Sequence, residues 1–123
     1  MMRLAPPLLA LLAIAAAQPA AAQVYSVPTP YCNGRVVVAQ FSTLNNTAQN
    51  RYDYSMLLTN PVAGSVRLQL QVVGDMLGRP VGSMLTVSGS SPLSVSLGYS
   101  PKMPGRMPLN GQSLAQAVRI TCL

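Results

Sequence analysis

Apolar and polar residues alternate along much of the chain, most clearly in SVRLQLQVVG, residues 65–74. The residues that would share one face of an extended strand are Val66, Leu68, Leu70 and Val72. Arginine and glutamine occupy the positions between them and would face the other way. A period of two is typical of a strand with one buried and one solvated face, so this run is predicted to be a half-buried strand.

Two further runs alternate in the same way, RYDYSMLLTN (residues 51–60) and PLSVSLGY (residues 92–99). The faces expected to be buried are Tyr52, Tyr54, Met56 and Leu58 in the first run, and Leu93, Val95, Leu97 and Tyr99 in the second. Other candidate strands cover residues 35–43, 81–88 and 113–122, and proline interrupts a short edge strand expected over residues 23–28.

Turn-forming mixtures of Gly, Pro, Asn, Asp and Ser separate these runs. About six or seven short strands at near-regular spacing predict a single all-β domain, an antiparallel β-sandwich of immunoglobulin-like size. A small closed β-barrel is the alternative. The chain contains no tryptophan, so the Cys–Trp–Cys pattern of true immunoglobulin domains is missing and the prediction concerns architecture only.

The segment YSPKMPGRMPLNGQS, residues 99–113, is the longest interruption between predicted strands. Long loops in compact domains are enriched in binding roles, although proline in such a loop also serves to protect a sheet edge from unwanted pairing. Binding loop and simple connector both remain open. The candidate binding residues are Tyr99, Lys102, Met103, Arg106 and Met107.

The N-terminal residues have the pattern of a secretory leader. A basic start is followed by the apolar run 4–17 and then by QPAAAQ, with alanine at positions 20 and 22. We expect a signal peptide over residues 1–22 and a β domain over residues 23–123. The apolar run is shorter than the roughly 20 residues that span a bilayer, which argues against an uncleaved anchor. No transmembrane segment is expected after cleavage, and periplasmic or secreted localisation follows.

Cys32 and Cys122 are the two cysteines of the chain. An even pair in an exported protein predicts a disulfide, here one that staples the two ends of the domain. A redox or metal-binding pair is the alternative, but it lacks the C-x-x-C spacing and the additional ligands of such sites. Because Cys122 would share a strand face with Val118 and Ile120, we expect its sulfur to lie at the core.

The chain is basic, with eight Lys and Arg against two Asp and Glu and a net charge of +6. This balance favours attraction to anionic surfaces or polymers, while a few arginines that only maintain solubility would give the same count. The candidate basic patch is Arg79, Lys102, Arg106 and Arg119. No motif indicates specific nucleic-acid recognition.

Catalytic chemistry has few residues to draw on. There is no histidine, so the usual base near neutral pH and the usual metal ligand are both absent. Asp53 and Asp75 are the only carboxylate side chains; the first is expected to pair with Arg51 and the second to lie in a turn. We therefore expect no enzyme activity, no cofactor and no metal site.

Methionine supplies one further hypothesis. Met103 and Met107 bracket Pro104, Gly105 and Arg106, and thioether sulfur is a ligand for cuprous ion. A methionine-based copper carrier is therefore a minor alternative, which the neighbouring cations oppose. The main expectation is a non-catalytic exported protein that binds or supports another protein at the cell envelope, and the second is a basic module for anionic surfaces.

Overall fold

The computed structural model describes residues 22–123; residues 1–21, which hold most of the expected leader, lie outside the described residues. Within that range the structure is mostly β, with eight strands and one short helix. The strands are β1 Ala22–Tyr25, β2 Thr29–Tyr31, β3 Val36–Asn46, β4 Arg51–Thr59, β5 Ser65–Val72, β6 Ser83–Ser88, β7 Leu93–Pro101 and β8 Val118–Cys122. Helix α1 spans Gly111–Ala117, and Cys32–Gly34 forms a 3-10 turn.

The strands form two antiparallel sheets. The first has the order β1-β3-β4-β7, with β2 pairing beside β1 along the same edge of β3. The second has the order β6-β5-β8. The predicted all-β class is confirmed. The closed-barrel alternative is wrong, because over residues 22–123 the strands pair as two separate open sheets.

One hydrophobic core takes side chains from both sheets. All four apolar residues predicted for the buried face of β5 are at most 2 % exposed. Their partners from the first sheet include Phe41, Tyr54, Met56, Leu58 and Leu97. The alternation of β5 therefore identified one wall of the core correctly, since a period of two places every second side chain on the same face.

The predicted strand over residues 113–122 is wrong in its first half, where the chain forms α1 instead. Asn110 caps this helix, its side chain accepting a hydrogen bond from the Ser113 N–H at 2.8 Å. Leu114 is the fully buried residue of this helix, and Ala115 and Ala117 pack partly buried against the core. A helix this short has little stability alone, so packing against β1 and β3 selects it.

A bulge in β7 changes the face that Tyr99 occupies. Tyr54 pairs with Gly98 while the next residue, Ser55, pairs with Ser96, which leaves Leu97 as an extra residue in β7. Leu97 is fully buried, and Tyr99 lies opposite the outward-facing Asp53. The expectation that Tyr99 shares the buried face of β7 is therefore wrong, because one inserted residue reverses the alternation.

The predicted disulfide between Cys32 and Cys122 is present, with 5.8 Å between the two Cα atoms. Cys32 follows β2 of the first sheet and Cys122 ends β8 of the second, so the bond joins the two sheets along one side. Cys122 is exposed. The expectation that its sulfur lies at the core is wrong, because the bond crosses the rim between the sheets.

The opposite side of the molecule contains the other two edge strands. β6 ends the second sheet, β7 ends the first, and the short link 89–92 joins them. Asn60, only 6 % exposed, also connects the sheets here: it follows β4, and its side-chain amide donates to the carbonyl oxygen of Val87 in β6. None of the helices in the part of the chain described has the length and apolar character needed to span a bilayer.

Candidate binding surfaces

The first half of the long loop contains an exposed tight turn over residues 103–106. The Arg106 N–H donates to the Met103 carbonyl oxygen at 3.1 Å, and Gly105 between them has φ +77°. Proline in the second and glycine in the third position are what a type II β-turn requires. Met103 is 53 % exposed and Met107 is 82 % exposed. The turn therefore presents two flexible apolar side chains to solvent.

The second half of the loop is held to the core by Tyr54. Its hydroxyl accepts a hydrogen bond from the Leu109 N–H at 3.1 Å and lies 2.6 Å from the Ser100 hydroxyl. The hydroxyl of Thr43 donates to the Leu109 carbonyl oxygen at 3.3 Å. Leu109 packs against the core between these contacts. Residues 108–110 are therefore structural, and the exposed turn before them is the part of the loop that a partner can reach.

Both aromatic residues beside the loop contact cations. The Arg51 guanidinium carbon lies 4.1 Å from the centre of the Tyr99 ring, and the Lys102 Nζ lies 5.3 Å from the centre of the Tyr52 ring. Arg51 also pairs with Asp53 at 2.9 Å, as expected from their spacing on β4. Tyr99 and Lys102 are both half-buried in these contacts. They stabilise the base of the loop as well as bordering its exposed turn.

A cavity of about 330 Å³ lies beneath the loop. Its lining residues are Gln23, Thr43, Asn45, Tyr52, Met107 and Pro108. The Oδ1 atom of Asn45 is buried and has no hydrogen-bond partner among residues 22–123. A smaller cavity of about 140 Å³ on the other side of Met107 is bordered by Asp75 and Arg106. Ser100 and Leu109 also line this smaller cavity.

The four residues of the candidate basic patch are placed in two regions. Lys102 and Arg106 belong to the loop, and Arg79 lies in the adjoining segment, where its Nη1 donates to the Met76 carbonyl oxygen at 3.2 Å. Arg119 lies in β8, where its Nη1 donates to the carbonyl oxygens of Gln116 and Val118. The structure thus associates three of the four cations with the loop and gives Arg119 different neighbours.

Arg119 also acts on Tyr31, at the disulfide-bonded side of the molecule. Burial raises the pKa of the Tyr31 phenol, and the positive charge of Arg119 offsets part of that effect. Residues 22–123 contain no group of three or more His, Cys, Asp or Glu side chains placed to hold a metal ion. In the methionine pair considered above, Met103 and Met107 stand at either end of the turn with cationic Arg106 between them.

A second surface, which the sequence patterns alone did not single out, is the side formed by β6 and β7. From Pro80 to Pro101 the chain carries no charged residue, and this interval contains both edge strands. Met84, at the outer face of β6, is 54 % exposed. We call β6 and β7 with their link the uncharged side, after its own residues; Arg67 of β5, opposite Thr86, and Arg51 of β4, over Tyr99, lie at its borders. The sequence could not identify this surface, because it does not show that β6 and β7 are edge strands; that follows only from the sheet order.

Comparison of the chain with models of known protein families, with curated proteins and with solved structures finds no match.

Proposed function

We propose that the protein is a non-catalytic, exported β-sandwich module that binds another protein at the cell envelope through its uncharged side. The observation that carries this proposal is that one interval without a charged residue, from Pro80 to Pro101, contains an edge strand of each sheet, β6 and β7. Edge strands commonly carry lysine, proline or a bulge, which prevent pairing with other chains. β6 carries none of these, so the side that it borders is suited to a polypeptide partner.

Two further observations support the proposal. The disulfide between Cys32 and Cys122 is typical of proteins that fold in an oxidising compartment, such as the periplasm or the extracellular space. The absence of histidine and the presence of only two acidic side chains favour binding over catalysis. The exposed turn with Met103 and Met107 offers a second apolar contact at the end of β7.

The test is a pull-down from native envelope extract with oxidised protein spanning residues 23–123, eluted by a salt gradient. A parallel column carries the double variant Lys102→Gln with Arg106→Gln, which removes the half-buried and the exposed cation of the loop and changes no residue of the uncharged side. We expect one polypeptide to be retained stoichiometrically by both columns and released only at high salt or by denaturant. Such binding depends on apolar and backbone contacts rather than on screened charges.

The competing function, binding to anionic surfaces, gives a different result in the same experiment. Acidic polymer or lipid would elute from the wild-type column at low salt, because counterions compete with such contacts. The column carrying the double variant would not retain this material. That result would refute the protein-binding proposal in favour of the basic module. Empty columns would refute both.

A further inference from the structure

We propose that β6 is an acceptor edge, to which the partner adds an extended segment, apolar and uncharged at every second position, as a fourth strand of the second sheet. This inference rests on the proposed function and specifies how the partner binds. Addition of a strand to an exposed sheet edge is a general mode of peptide recognition, in which backbone hydrogen bonds supply affinity and alternate side chains supply specificity.

The backbone of β6 is regular along its whole length. It pairs with β5 through consecutive residue pairs, from Ser65 with Ser88 to Leu70 with Ser83, without a bulge or shift. Within residues 22–123 no strand pairs with its other edge. In an antiparallel strand every second residue directs its N–H and C=O groups away from its neighbour. β6 therefore presents a straight row of free donors and acceptors.

The edges formed by β1, β2 and β7 are each protected. Pro28 separates β1 from β2, and Pro30 lies within β2, so this edge lacks backbone donors at both positions. The outer edge of β7 has the bulge at Leu97, and further along Tyr99 exchanges backbone hydrogen bonds with Leu77 at 2.9 Å in both directions. Only short stretches of these edges remain regular.

The fourth edge, β8, is protected in a different way. It carries Arg119 and ends at Cys122, where the disulfide joins it to the first sheet. Of the four edges, β6 is the one without charge, proline, bulge or covalent link in the described structure. By the rules that natural proteins follow to avoid edge pairing, β6 is built to accept a strand.

The faces of β6 define the chemistry of the added segment. Val87 is fully buried and Leu85 partly buried on the inner face, while Met84 and Thr86 are exposed on the outer face. A strand placed beside β6 continues these faces, so its residues toward the core should be apolar at every second position. A charge on the inner face would lose its hydration beside Leu85, which is why the residues of the segment on this face should be uncharged.

The probe is a synthetic peptide, SVQLQLQV, which copies β5 with glutamine in place of Arg67. β5 already pairs with β6 in register, so its side chains complement those of β6. The control peptide, SVQPQLQV, has proline at the position of Leu68 and cannot maintain the ladder. The protein is the disulfide-bonded chain from residue 23 to residue 123.

Amide hydrogen exchange, followed by NMR with and without peptide, tests the geometry directly. We expect the freely exchanging amides of β6 to slow by about tenfold or more with the probe and not with the control peptide, because addition of a strand gives them hydrogen-bond partners. Protection confined to residues 102–110, or no protection at all, would refute strand addition at β6.

Charge variants separate edge pairing from a general effect of added charge. Leu85→Lys places a cation on the inner face at the edge and should weaken peptide binding by about tenfold or more, whereas Thr86→Lys places the same charge on the outer face and should change it by less than about twofold. If Leu85→Lys does not fold, Ser83→Lys tests the same face without removing an apolar side chain. Equal losses in the inner-face and outer-face variants would contradict the proposal.

The remaining outcomes distinguish failure of the proposed function from failure of the acceptor edge. Retention of the envelope partner by folded Leu85→Lys would leave the proposed function standing and refute the acceptor edge. An empty pull-down together with probe-dependent protection of β6 would refute the envelope partner and support the edge. Self-association without peptide, seen as a concentration-dependent mass in ultracentrifugation and abolished by Leu85→Lys, would assign the edge to a second copy of the chain and refute strand addition by another protein.

Discussion

Asn60 joins the end of β4 to β6, and its removal should loosen both. Its Oδ1 accepts a hydrogen bond from the Val62 N–H at 3.0 Å, and its Nδ2 donates to the carbonyl oxygens of Gly64 and Val87, each at 3.1 Å. Asn60→Ala removes all three hydrogen bonds. Because the side chain is buried, water cannot easily replace them.

The expected loss of stability follows from these contacts. A net contribution of about 1 kcal/mol per hydrogen bond gives roughly 3 kcal/mol. For a domain of this size about 1 kcal/mol shifts the melting temperature by roughly 4–8 °C, so the decrease should be about 12 °C or more. That is a large share of a typical stability of about 5–15 kcal/mol.

The assay is equilibrium unfolding of the oxidised protein in urea, followed by far-ultraviolet circular dichroism. Ser94→Ala, an exposed substitution on β7, is the control and should change the free energy of unfolding by less than about 0.5 kcal/mol. A loss below about 1 kcal/mol for Asn60→Ala would refute the reasoning. It would mean that water or a shifted turn satisfies the freed backbone groups and that Asn60 does not hold β6 in place.

Three further predictions concern other parts of the fold. Gly98→Ala should destabilise the protein by about 2 kcal/mol in urea unfolding, because Gly98 has φ +120° and a Cβ there would lie 2.7 Å from the Leu77 carbonyl oxygen; an unchanged midpoint would contradict the bulge geometry. Replacing both Cys32 and Cys122 by serine should cost about 4–5 kcal/mol by the chain-entropy argument, measured by thermal unfolding against the oxidised wild type. Burial raises the pKa of Tyr31, so its contribution to stability is present below about pH 10 and is lost as the pH rises through the folded-state value; Tyr31→Phe should show a flatter decline in urea unfolding between about pH 9 and 11, and identical slopes would refute this assignment.

Strand alternation predicted the fold best where one face is buried and no residue is inserted. β5 satisfies both conditions, and its four apolar residues all lie in the core as expected. In β7 the same reasoning succeeded as far as Leu97 and failed at Tyr99, because a bulge depends on what packs beside the strand. The neighbour here is the segment around Leu77, which is distant in sequence and approaches closely only because residue 98 is glycine.

The helix α1 was not predicted because local helix and strand patterns overlap in this segment. Asn110 is a residue type favoured at the start of a helix, and Leu114, Ala115 and Ala117 are the apolar residues that follow it. These signals compete with the alternation of Val118, Ile120 and Cys122 immediately afterwards. Both patterns are real, and the chain changes from helix to strand between them because β5 is available to pair with β8.

The candidate surfaces could be located from the sequence only in part. The loop was identified from its composition, and its exposed turn and cations lie where a partner can reach them. The anchoring role of the Tyr54 hydroxyl was not predictable, since its contacts with Leu109 and Ser100 join residues far apart in the chain. The sequence shows that residues 80–101 carry no charge, but only the sheet order shows that this interval contains two edge strands.

By itself, the sequence determined the all-β class, the buried face of β5 and the pairing of Cys32 with Cys122. The buried face follows from the two-residue period of a strand, which is local in sequence. The disulfide follows because two cysteines allow only one pairing. Only the tertiary structure decided which strands are edges, which side the disulfide closes and that the uncharged interval contains an edge strand of each sheet. Those properties depend on pairings between distant segments, whose free energies come from packing and hydrogen bonds that no short stretch of sequence contains.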